Sequence, residues 1–158
     1  MGLKPISAGF DIDLSRPMIF HVINLNDGTT ERTIPVNMKD FTSAAANNSM
    51  IVSHTVNGYY ENGTGHLVLD VIGYDFLFFE RFEMSVFLNK TARDHGLYST
   101  KRAKTFRFVL DTAAGKAVSV EELLPKSDWE FPIINEGFKG KPYCFTCTNA
   151  SWSRLLLF

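Results

Sequence analysis

The sequence predicts an all-β chain of short antiparallel strands with little helix. Its apolar runs are short, alternate with polar residues, and are separated by Asn, Asp, Gly and Pro. Aromatics make up 13% of the 158 residues, with fourteen Phe, which suits pleated and half-buried surfaces. One stretch alone departs from this alternation, after Tyr74. Sandwiches, barrels and propellers all satisfy such a pattern.

Met18 to Leu25 reads as the first strand, closed by Asn26-Asp27-Gly28, a strong hairpin signal. Arg32 to Val36 returns from it, and Pro35 argues for an edge or a strand end. Asn37 to Asn48 is small and polar, a loop. Ser49 to Asn57 is the next strand, and Glu61-Asn62-Gly63-Thr64-Gly65 the turn after it. His66 to Ile72 alternates cleanly, with Leu67, Leu69 and Val71 on one face.

From Tyr74 to Leu97 the spacing changes. Phe82, Val86 and Phe87 within Arg81 to Asp94 suit a short helical excursion. Strand alternation resumes at Lys104 to Leu110, with Phe106, Phe108 and Leu110 facing one way and Thr105, Arg107 and Val109 the other. Gly115 marks a turn, and Lys116 to Val120, Trp129 to Ile134 and Pro142 to Thr148 follow as strands. The final Arg154-Leu155-Leu156-Leu157-Phe158 is an apolar strand with neither cap nor polar tail, which favours a larger strand assembly of which this chain is part. A propeller blade takes roughly 40–45 residues, so 158 residues correspond to about three to four blades. An open arc of blades leaves unpaired edges, and predicts poor stability in isolation.

A net charge of −1 and a pI near 6.4 leave no footprint for nucleic acid or an anionic membrane. Met1 to Ser7 has no apolar core of a secretory signal, and Ile6 occupies the place where myristoylation needs Ser or Thr. A cytoplasmic protein is the expectation. Asn47, Asn62, Asn89 and Asn149 each begin a glycosylation sequon, which chance explains in an Asn-rich chain. Cys144 and Cys147 form a C-x-x-C inside a predicted strand, where residues three apart point to opposite faces; reduced thiols are expected.

Among the four histidines, His54 is the candidate for chemistry. As a strand residue it shares a face with Met50, Val52 and Val56, an apolar setting. On the residues alone a hydrogen-bonded core histidine is the simpler reading, and a metal ligand the alternative, since non-heme Fe(II) needs at least three protein ligands. His21 beside a hairpin, His66 at a strand start and His95 before Gly96 read as structural or exposed. Glu130 reads as an exposed strand-end acid by spacing alone, and Glu61 as a turn acid.

Two segments carry a resemblance. Val52-Ser53-His54-Thr55-Val56-Asn57-Gly58-Tyr59-Tyr60-Glu61 and Trp129-Glu130-Phe131-Pro132-Ile133-Ile134-Asn135, the latter followed by Gly140-Lys141-Pro142-Tyr143, resemble two signatures of the carotenoid cleavage oxygenases. Ser53 stands where that family has an aromatic, and Tyr60 displaces the acid to Glu61. The likeness is collinear from about residue 18 to 148, with His21 on a preceding strand where the family has no ligand. It implies a partial seven-bladed β-propeller, residues 1–158 being an incomplete propeller domain. It further implies an Fe(II) cofactor with His54 as one of four histidine ligands, and Glu130 as the carboxylate that orients a ligating histidine. The implied reaction is cleavage of a conjugated double bond with O2, the isolated chain being inactive. Its substrate would be a carotenoid, apocarotenoid or retinoid, and the full-length protein leaves room for peripheral membrane contact. The competing expectation is a small lipocalin-like barrel around an apolar ligand, although Trp129 and Trp152 come too late for its usual Gly-x-Trp.

Overall fold

The computed structural model describes residues 12–76, 91, 102–123, 125, 131–146 and 156–157. The hairpin β1 (Met18–Ile23) and β2 (Thr30–Val36) comes first. Asp27 shapes its turn, accepting from the backbone N–H and the hydroxyl of Thr29, while Gly28 takes the left-handed φ of 73° that a side chain would resist. Pro35 lies opposite Ile19, in a strand that among the described residues pairs only with β1, the edge setting that proline tolerates.

The centre of the fold is an antiparallel meander in the order β3 (Ile51–Tyr60), β4 (Leu67–Tyr74), β5 (Lys104–Asp111), β6 (Lys116–Leu123). A last pair joins β7 (Phe145–Thr146) to β8 (Leu156–Leu157). The β3–β4 turn falls at the predicted residues 61–65, closed by Glu61 and His66 main-chain bonding and by the Thr64 hydroxyl donating to Glu61. β3 runs to Tyr60, beyond the expected end at Asn57, because Gly58, Tyr59 and Tyr60 find partners in Leu69, Val68 and Leu67.

The core lies on one face of the meander. Val71, Phe106, Phe108, Leu110 and Val120 meet Ile34 and Val36 of the hairpin and Met38 of the short 3-10 turn Met38–Asp40. The Phe20 and Phe108 rings pack at 5.1 Å, so the hairpin is fastened to the meander by aromatic contact as well as burial. A second tie is polar. Lys104 Nζ donates to Asp75 at 2.7 Å and to the Ala44 carbonyl at 2.9 Å, holding the loop before β3 against the start of β5.

No described strand pairing closes these sheets into a barrel: β1 pairs only with β2, and β8 with β7. That sets aside the lipocalin-like expectation. Two expected strands are corrected. Of the expected strand Trp129 to Ile134, the described part from Phe131 is not a regular strand, because Phe131 takes a φ of 52° and Pro132 lacks a donor; of the expected strand Pro142 to Thr148, the described residues before Phe145 are not in a strand. Trp129, Glu130, His95 and Cys147 lie outside the described residues, as does the Arg81–Asp94 excursion apart from Thr91, which is helical.

Candidate metal-ligand face

β3 carries two bulges against β4, one between Val52 and His54 and one between Thr55 and Asn57. The first inserts Ser53, so Val52 opposes Gly73 while His54 opposes the adjacent Ile72. Val52 and His54 therefore point to opposite faces, and the expected shared face of His54 with Met50 and Val52 is corrected. Met50 joins the core, and Val52 is exposed. A bulge restarts the two-residue period, which no alternation pattern reveals. His54 is half-buried on the second face, that of Ile72 and Val56.

This second face is covered by the segment from Phe131 to Thr146. Phe131 lies with its ring 5.0 Å from the His54 imidazole at an interplanar angle of 47°. Three residues along the strand, buried Asn57 grips the same segment. Its amide donates to the carbonyls of Phe138 (3.2 Å) and Lys141 (3.0 Å) and accepts from the Gly140 N–H (3.1 Å). Asn135 accepts from the Gly137 N–H and caps the short 3-10 turn Glu136–Phe138 between these contacts.

Beneath Asn57 lies an ionic core. Asp70 is fully buried, and Arg107, its neighbour across the ladder, binds both carboxylate oxygens at 2.8 Å. The Tyr143 hydroxyl donates to Asp70 at 2.6 Å. Burial, followed by the Asp70 charge, pushes the Tyr143 phenol well up from its ordinary value. The hydrogen bonds to Asp70 raise Arg107, against the opposing effect of burial. Burial also raises Tyr59, whose ring meets Tyr143 edge-on at 6.5 Å. Arg107 and the Tyr143 hydroxyl thus both bond the buried Asp70 carboxylate, an arrangement that fixes the positions of two strands and the covering segment.

In the sequence Tyr143 falls in a motif and Arg107 on the face of its strand opposite Phe106, with nothing joining either to Asp70. A signal was present. Asp70 sits amid Val68-Leu69 and Val71-Ile72, an apolar run in which both faces are buried, and an acid there requires a partner.

Other candidates stay apart from His54. His21 is exposed with Nδ1 3.4 Å from the Thr33 hydroxyl, and His66 is half-buried at the start of β4. Cys144 is exposed with a free thiol. Among the described residues, no three His, Cys, Asp or Glu side chains converge as a metal site.

The family model described as retinal pigment epithelial membrane protein matches residues 1–155. The chain belongs to this carotenoid oxygenase family. No curated protein matches the chain. Among solved structures, a mutant of the Synechocystis apocarotenoid oxygenase is similar, with a TM-score of 0.59 and 22% sequence identity over 89% of this chain and 25% of that one. At that identity the likeness speaks for the fold, a partial β-propeller, whose largest described sheet is the four-stranded β3–β6 meander. The chain spans a quarter of the length of that oxygenase.

Proposed function

We propose that this chain is part of an Fe(II)-dependent oxygenase that cleaves a conjugated double bond of a carotenoid or apocarotenoid with O2. The family match over residues 1–155 carries the reading. Retinoid substrates and isomerohydrolase chemistry belong to the same proposal at its margin, because a fold does not fix a reaction.

His54 fits one position in an iron site. It is a half-buried imidazole on a strand, beside apolar Ile72 and Val56, and neutral imidazole suits iron. Bound iron would supply a Lewis-acidic, redox-active centre for O2. The chain's own contribution is to hold the imidazole and to keep its surroundings apolar. Glu130, next to Phe131 in sequence, is proposed as the carboxylate that accepts the second N–H of a ligating histidine and so fixes its tautomer. One imidazole does not make a non-heme iron site, so residues 1–158 form an incomplete propeller domain without turnover of its own.

The experiment compares His54→Ala with wild type in the product of the full reading frame that contains this chain. Loss of both bound iron and carotenoid cleavage is expected. Iron retained at the wild-type level would remove His54 from the site, and cleavage by the 158-residue chain alone would overturn the claim of an inactive part. Glu130→Gln is expected to lower iron retention or turnover by about 10–100-fold with the fold intact.

A further inference from the structure

We propose that Phe131 is a positioning residue for the His54 imidazole, held in place by a latch made of Asn57 and of Tyr143 on the Asp70–Arg107 pair. The contact between the rings rests on geometry alone; its purpose rests on the reading of His54 as a metal ligand.

Phe131 is an odd residue for its place. Its side chain is 62% exposed, so burial does not explain its location. Its φ of 52° is a conformation that costs a residue with a Cβ about 1–2 kcal/mol. Such strain persists only where surrounding structure imposes it. The residues that follow do so: Ile134 is buried, Asn57 holds the main chain at residues 138, 140 and 141, and Tyr143 is tied to Asp70.

The arrangement closes a circuit. β3 carries both the imidazole and, at Asn57, the point where the covering segment docks. The segment returns to β3 through Phe131, whose ring stands at a distance typical of attractive aromatic pairs. An imidazole with a ring wall on one side has fewer rotamers open to it, and a ligand already oriented loses less side-chain entropy on binding metal. The bulge at Ser53 belongs to the same device, because it turns His54 toward the segment.

Nuclear magnetic resonance of the metal-free 158-residue chain tests this. The His54 ring protons are expected to show a through-space contact to the Phe131 ring and a ring-current displacement. Both vanish in Phe131→Leu and return in Phe131→Tyr, which keeps an aromatic ring. Both weaken in Tyr143→Phe and in Asn57→Ala. An unchanged His54 χ1 rotamer distribution in Phe131→Leu, read from side-chain couplings, would overturn the positioning role, and full contact in both latch variants would overturn the latch. Because Phe131 is exposed, its variants keep the fold and decide the first question even where Asn57→Ala does not fold. Iron retention by His54→Ala, measured separately, reports on the ligand reading and not on this one.

Discussion

The Tyr143 hydroxyl donates at 2.6 Å to the carboxylate of Asp70, a side chain with no exposed surface, across 73 positions of sequence. That bond joins the covering segment to the blade where Arg107 already neutralises the acid. An anion placed there alone would be very costly, and with two partners it becomes a fixed point.

Removing one member of the pair is expected to strand the other. Arg107→Ala and Asp70→Ala should each lower stability by about 3–5 kcal/mol, read from urea unfolding. The double replacement should cost less than the sum of the two. Additive losses would show that the pair is not coupled.

The raised Tyr143 phenol gives stability a sign in alkali. The unfolded phenol ionises near 10.0 and the folded one later, so its contribution is complete below that pH and is lost as pH rises past it. Tyr59 shifts in the same direction. Wild type should therefore lose unfolding free energy more steeply above pH 10 than Tyr143→Phe does. At neutral pH, Tyr143→Phe should cost about 1.5–3 kcal/mol, the range for a hydrogen bond to a charged group.

Gly73 faces a close approach of backbone. A Cβ there would meet the Met50 methyl and the Ile51 carbonyl well inside contact distance, and the carbonyl belongs to a paired strand. Gly73→Ala should destabilise by about 1–3 kcal/mol, measured by thermal or urea unfolding. An unchanged melting temperature would mean that the β3–β4 ladder opens at no cost.

At Phe131, two truncations separate ring from backbone. Phe131→Gly and Phe131→Ala both remove the ring, yet only Gly adopts a φ of 52° without strain. The Gly variant should be the more stable of the two by about 1 kcal/mol. The reverse order would place the strain elsewhere.

The strands β1 to β6 and the turns between the paired ones are legible in local sequence, whereas the strands expected after Leu123 are not formed as read. Asn26-Asp27-Gly28, residues 61–65 and Gly115 mark three hairpins, and the alternation of Phe106, Phe108 and Leu110 marks the core face of β5. These are local signals: turn chemistry acts over a few residues, and a strand period of two is visible in any short window. The residues around His54 were legible as a motif, but its orientation was not. Tertiary pairing decided that, because the extra residue at Ser53 can be recognised only against the register of β4. The same holds for Asp70, Arg107 and Tyr143, whose meeting depends on two strands and a covering segment far apart in the chain. Phe131 shows the limit most plainly: its segment reads as a strand in the sequence, and only the docking of Asn57 and Tyr143 brings that ring against the imidazole.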